Sequence, residues 1–272
     1  LITNATAAGI DTDWTVILED ATVSITDANL VNAATSGEIT ATIVTESANN
    51  LATLEGTGNA YTITTSGTDA TAAELNAIDA ATTQNVDASS IETITSSAVS
   101  AVKTLITNAT AAGIDTDYTV TLSDESIAAT DITTVDTHTS GLVTVNATTI
   151  TGDHADITTA ISSAGTAISG SIAVTSDNNM SSSELAAMDI LTTGTITATI
   201  SDGGLDALAS LTNVNTNNAL TIVVADAAAT AVELNTLNDM TSLNVTASAV
   251  EAIESSAVSA VKTLITNATA AG

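Results

Sequence analysis

The chain has 272 residues, with 2 Lys+Arg against 31 Asp+Glu, a net charge of −29, no Cys, no Pro and no Phe. That balance excludes nucleic acid as a natural partner, because binding it needs a basic surface to release counterions, and it disfavours anionic membranes for the same reason. Hydrophobic residues at 44% set it apart from a disordered acidic tail, the missing cysteines remove disulfide and thiol chemistry, and no run approaches the roughly 20 apolar residues that insert in a membrane.

The chain opens on LITNATAAG, Leu1–Gly9. Alternating β-branched segments at Trp14–Leu18, Ile39–Val44 and Tyr61–Thr65 predict strands, each with one apolar face. Thr71 followed three residues later by Glu74 is a capping box that predicts a short helix, with Leu75 and Ile78 on its buried stripe. A weaker strand is expected near Asn85–Ser89. Ser97–Ala112 then reads as a fuller helix, with Ala98, Val102, Leu105, Ile106 and Ala109 on one side and Gly113 as its stop. Next come a strand at Tyr118–Leu122, a loose helical stripe at Ile132 and Val135, and a strand at Leu142–Asn146. Asp153–Ala164, ending at Gly165, predicts a shorter helix, followed by a strand at Ser171–Thr175. Ser181 with Glu184 and Thr230 with Glu233 repeat the capping box, with Leu185/Met188 and Leu234/Leu237 as stripes and a looser Leu208/Leu211 pair between them. The strands Thr195–Ile200, Leu220–Val224 and Leu243–Ala247 complete the series. Trp14, Tyr61 and Tyr118 each stand first in a strand.

The spacing of about 25 residues per strand-plus-helix unit is that of a tandem repeat. LITNATAAG recurs at Leu105–Gly113 and Leu264–Gly272, and Ser96–Gly113 is identical to Ser255–Gly272, an offset of 264 − 105 = 159. Leu1–Asp13 likewise equals Leu105–Asp117. The predicted fold is a repeat solenoid, either a β-solenoid or an α/β solenoid, of stacked strand–short helix coils with a parallel sheet along one side. A thin stack of this kind fills its core with Ala, Val, Ile and Leu. Residues 1–104 form a first higher-order repeat, 105–263 a second and 264–272 the start of a third, within one continuous solenoid read as part of a longer array.

Gly113-Ile114, Val120-Thr121-Leu122-Ser123-Asp124, Ile127-Ala128-Ala129, Val135-Asp136, Thr139-Ser140-Gly141, Ile150-Thr151-Gly152 and Ala155-Asp156-Ile157 resemble the repeats of giant extracellular and cell-surface proteins of marine cyanobacteria, the motility-associated surface protein type. The resemblance is best over Gly113–Gly170. It implies an extracellular, repetitive, structural role and carries over no catalytic residue.

Acidic residues recur just after the strands, at Asp20, Glu46, Asp69, Asp124, Asp177, Asp202 and Asp226. Stacked at roughly 4.8 Å they would form a ladder of like charges, for which calcium is the natural counter-ion; the competing reading is that each Asp caps a turn. Asp11/Asp13 and Asp115/Asp117 are the better calcium candidates, since two carboxylates follow a helix C-terminus where the dipole is already negative. His138 and His154 fit no metal-ligand spacing and are expected on the solvated surface. Lys103 and Lys262, equivalent by repeat, are expected to pair with carboxylates of an adjacent coil. Thr-x-Thr pairs such as Thr119/Thr121 invite an ice-binding reading, but the array is broken at Leu142–Asn146 and Leu220–Val224. The functional expectation is a structural protein of a filament, sheath or surface layer, not an enzyme, self-associating end to end or laterally. The alternative is a calcium-dependent adhesin stalk.

Overall fold

The computed structural model describes residues 11–270 as an α/β fold in which short strands and helices alternate. The repeat copy Leu1–Gly9 and the last two residues of the third copy lie outside the described residues. The chain divides into two compact units, one made of Leu1–Asp124 with Thr134–Val145, the other of Glu125–Thr133 with Asn146–Gly272.

In the first unit Val16–Ile17, Ile39–Thr42 and Ala60–Thr62 form one parallel sheet. Asp69–Ala70, Thr93–Ser97, Thr119–Leu122 and Val143–Val145 follow one another in a second, and Glu46–Ser47 pairs with Thr65–Ser66. In the second unit Ser126–Ala128, Thr149–Gly152, Ala173–Ser176, Ile196–Thr199 and Ala219–Thr221 form a five-stranded parallel sheet, and Ala228–Thr230 pairs with Ala252–Glu254. In both units the partners lie between 65 − 46 = 19 and 119 − 93 = 26 residues apart. Each strand therefore pairs with the strand one coil on.

Period-2 alternation sets the strand faces as the sequence predicts. Tyr118, Val120 and Leu122 are buried, while Thr119 faces solvent. The three capping boxes are formed, with the Thr71, Ser181 and Thr230 hydroxyls accepting from the backbone N–H of Glu74, Glu184 and Glu233, and the carboxylates reaching back to the cap N–H groups. They open the helices Ala72–Ala81, Ser182–Asp189 and Ala231–Asp239, whose stripes Leu75/Ile78, Leu185/Met188 and Leu234/Leu237 are buried. Ile132/Val135 and Leu208/Leu211 are buried as well.

Three details differ from the sequence reading. Most coils carry a second short strand directly before the helix: Asp69–Ala70 leads into Ala72–Ala81, Ser126–Ala128 into Ala129–His138, and Thr149–Gly152 into His154–Ser162. The long helix breaks at Asn108 into Val99–Thr107 and Ala109–Ala112, and its buried face runs through Val99, Val102 and Leu105, with Ala98 exposed. It does stop at Gly113, in the left-handed conformation at φ 65°. The expected strands at Asn85–Ser89 and Leu243–Ala247 are reduced to single bridges, Thr64↔Asp87 and Val223↔Thr246.

Candidate functional site

The side chains that recur from coil to coil hold backbone to backbone. Thr35, Thr82, Thr139, Thr192 and Thr241 are all buried, each at the turn that leaves a helix. Each hydroxyl donates to a carbonyl one coil back: Thr35 to Trp14, Thr82 to Tyr61 at 2.7 Å, Thr139 to Tyr118 at 2.5 Å, Thr192 to Ile172 at 2.5 Å and Thr241 to Leu220 at 2.8 Å. The same oxygen accepts from the N–H two residues on, at Gly37, Gln84, Gly141, Gly194 and Leu243. The residue between donates its backbone N–H to the previous coil, as in Ser36 to Thr12, Thr83 to Asn59, Ser140 to Thr116, Thr193 to Gly170 and Ser242 to Asn218. A hydroxyl suits the site because it supplies a donor and an acceptor on one buried atom. Where glycine follows, at Gly37, Gly141 and Gly194, an added Cβ would overlap the carbonyl oxygen of Trp14, Tyr118 or Ile172. Close approach of two backbones explains the Thr-Ser/Thr-Gly triplets.

A second device joins the helix starts. The first helical N–H, which no helix satisfies internally, is bonded by a side chain from the following coil. Ala72 N–H goes to Ser97 Oγ at 3.0 Å, Val99 to Asp124 Oδ2 at 2.7 Å, and His154 to Asn178 Oδ1 at 3.1 Å. Ser182 goes to Asp202 Oδ2 at 2.6 Å, Leu205 to Asp226 Oδ2 at 2.7 Å, and Ala231 to Ser256 Oγ at 2.9 Å. The acidic ladder of the sequence reading thus acquires a partner: Asp124, Asp202 and Asp226 place negative charge on the positive end of a helix one coil back. Asp177 is exposed, and its neighbour Asn178 does the capping.

Asparagines, two of them buried and two half-buried, add a third link. Asn59 Oδ1 accepts from Ile39 N–H at 3.1 Å and Asn218 Oδ1 from Ile196 N–H at 2.9 Å, while Asn76 and Asn235, 235 − 76 = 159 residues apart, donate to the carbonyls of Ala101 and Ala260. Sequence reasoning missed the threonines and asparagines alike. The only local trace was the Thr-Ser-Gly triplet.

Both histidines are half-buried and bonded, contrary to the solvated role expected for them. His138 Nδ1 lies 3.0 Å from the Tyr118 hydroxyl, whose pKa burial pushes up to about 12. His154 Nδ1 lies 3.2 Å from Asn178 Oδ1 and its Nε2 3.1 Å from Glu184 Oε1. For Glu184, the backbone and side-chain hydrogen bonds of Ser181 hold the carboxyl below the usual glutamate range, with His154 assisting. Burial works against Glu74, yet the hydrogen bonds from Thr71 and Asn49 leave its carboxyl lowered too.

Asp11, Asp13, Asp115 and Asp117 are exposed. Among the described residues no three His, Asp or Glu side chains converge in a way that would hold a metal ion, and no helix is long and apolar enough to cross a membrane. The recurring side-chain hydrogen bonds so far described link backbone segments to one another. No family model, curated protein or solved structure matches the chain.

Proposed function

We propose that this chain is part of an extracellular structural repeat protein, a solenoid of stacked coils that builds a filament, sheath or surface layer and performs no catalysis. One observation carries the reading: the functional groups that recur, the buried threonines and the side-chain caps on helix N–H groups, are all spent on joining one coil to the next. Scaffolds extended by duplication need this, because each added unit only has to match its neighbour. A net charge of −29 keeps such a surface hydrated and resists non-specific association. The reading is tested on intact source cells with antibody raised against the chain. Immunogold label on the outer surface, removed by brief external protease, is the expected result; label confined to the cell interior overturns it.

A calcium-dependent adhesin stalk is the second reading, favoured by the exposed carboxylate pairs Asp11/Asp13 and Asp115/Asp117. Calcium is the ion suited to all-oxygen ligands of this kind. In a stalk, chelation weakens adhesion of the cells, whereas in a sheath it leaves adhesion unchanged.

A further inference from the structure

Among the six helix starts capped from the following coil, one differs in kind. At five of them the first helical residue is aliphatic or a serine, and the acceptor is Ser97, Asp124, Asp202, Asp226 or Ser256. At the sixth the first helical residue is His154, and its N–H goes to the neutral amide of Asn178. The imidazole itself then reaches the next coil twice, through Nδ1 to Asn178 and through Nε2 to Glu184.

The proton positions at this junction follow from what each atom can do. The His154 backbone N–H can only donate, so the Asn178 atom it meets at 3.1 Å is the amide oxygen. The ring Nδ1, 3.2 Å from that same oxygen, must therefore carry a hydrogen. Nε2 lies 3.1 Å from Glu184 Oε1, while Glu184 Oε2 accepts from the Ser181 N–H at 2.7 Å and the Ser181 hydroxyl at 2.8 Å. Those bonds, the backbone one foremost, hold the carboxyl below the usual glutamate range, so Oε1 is an acceptor as well. A neutral ring with its hydrogen on Nδ1 would aim the Nε2 lone pair at an anionic oxygen. Both contacts are satisfied together only by the imidazolium.

The charges on the elements around the ring favour that form. Asp153 and Asp156 flank it in its own coil, Ser182–Asp189 brings Glu184 and Asp189, the exposed Asp177 follows strand Ala173–Ser176, and Asp131 stands on the helix of the coil before. Strands Thr149–Gly152 and Thr166–Ile168, which also pack against helix His154–Ser162, carry no charge. The opposing influence is the positive N-terminal end of the ring's own helix. We infer that His154 is a proton-operated clasp between two coils: charged, its ring bridges Asn178 and Glu184; uncharged, it keeps the bond to Asn178 and releases Glu184. The charged form is the one the folded junction favours, so the clasp holds at low pH, down to the range where Glu184 itself takes a proton. It loosens as pH rises through the span of about 5 to 8 in which histidine titrates. This goes beyond the structural reading and holds wherever the protein works.

The test uses the full chain at about pH 5.5 and about pH 8.5, on either side of that span. His154→Gln identifies the ring signals, since His138 is the only other histidine. Ring-nitrogen NMR at the higher pH is expected to show the neutral imidazole with its hydrogen on Nδ1. Hydrogen exchange at the amide of position 154, corrected for intrinsic rates, is expected to show protection relative to His154→Gln that is about two- to fivefold greater at the lower pH than at the higher, the size of a partly exposed ion pair. Glu184→Gln, which a capping box accepts, should keep the hydrogen on Nδ1 and remove the pH dependence. A neutral ring with its hydrogen on Nε2 overturns the proton assignment and the clasp with it. A protection ratio that is the same at both pH values, or that still changes with pH after Glu184→Gln, overturns the clasp even with the hydrogen on Nδ1. The ring spectrum and the ratio need no change at Glu184, so both stay decisive if that variant fails to fold.

Discussion

Replacing Thr139 by Val tests the inter-coil threonine at a single atom. Valine keeps the shape and removes the hydroxyl, which donates to Tyr118 O and accepts from Gly141 N–H. Thr139 is 7% exposed and Tyr118 fully buried, so water does not reach the orphaned Tyr118 carbonyl without opening the turn, whereas Gly141 is half-buried. A buried polar group left unpaired costs roughly 1–3 kcal/mol, and with the half-buried Gly141 N–H adding less than a second full penalty the loss is about 2–4 kcal/mol. Thr139→Ser keeps both hydrogen bonds and loses one buried methyl, at a cost of about 1 kcal/mol. The pair is compared by urea unfolding, and by hydrogen exchange at the Gly141 and Ser140 amides in case a stack of repeats unfolds in parts. Val is expected to lose protection there by about one to two powers of ten relative to Ser. A Val variant within about 0.5 kcal/mol of Ser would refute the reasoning, because side-chain volume alone would then explain the position.

Four further outcomes follow from the same geometry. Gly141→Ala is expected to destabilise far more than Gly170→Ala in thermal melts, since a Cβ at Gly141 overlaps Tyr118 O while nothing stands within 4 Å of one at Gly170. Leu75→Asp places an unpaired charge in a site 1% exposed and should open its own coil first by hydrogen exchange; one all-or-none loss across the whole chain would count against stacked units. Glu74 and Glu184 have folded pKa values below their usual 4.5, so their contribution is complete above that pH and is lost as pH falls through the folded values. Replacing both by Gln should flatten the pH dependence of stability in that acid window, and an unchanged slope would exclude the capping boxes as its source. Calcium is the open electrostatic question: if Asp115 and Asp117 bind it, millimolar calcium should raise the melting temperature beyond sodium chloride of matched ionic strength, and Asp→Asn at both should abolish the excess. Equal effects of the two salts would leave screening of the net charge as the explanation.

The parts of this fold legible in the sequence are those encoded by neighbours. Tyr118, Val120 and Leu122 announce a strand because alternation is local, and Thr71 with Glu74 announces a helix start because a capping box spans four residues. Gly113 stops a helix for a reason confined to its own φ. The second strand that most coils carry was missed because stretches such as Ser126–Ala128 and Thr149–Gly152 are too short to show a period. The inter-coil bonds were missed for a different reason. Asp124 and Val99 lie 25 residues apart and Thr139 and Tyr118 21, so neither pairing has a local signature until the coil length is known. The acidic positions themselves were found, at Asp124, Asp202 and Asp226, and read either as a ladder facing cations or as caps on nearby backbone N–H groups; the N–H groups they meet belong to helix starts 20–25 residues earlier in the chain.

The central claim, that each coil adds to a stack by matching its neighbour, is tested most directly by lengthening the stack. Inserting a second copy of residues 105–263 after residue 263 keeps the native sequence at both joins, because Leu264–Gly272 repeats Leu105–Gly113. Small-angle X-ray scattering of the original and lengthened chains then gives the cross-section and the long dimension separately. Stacking at roughly 4.8 Å per coil predicts an unchanged cross-section and a long dimension greater by about 30 Å. A thicker particle whose length hardly changes would contradict the account.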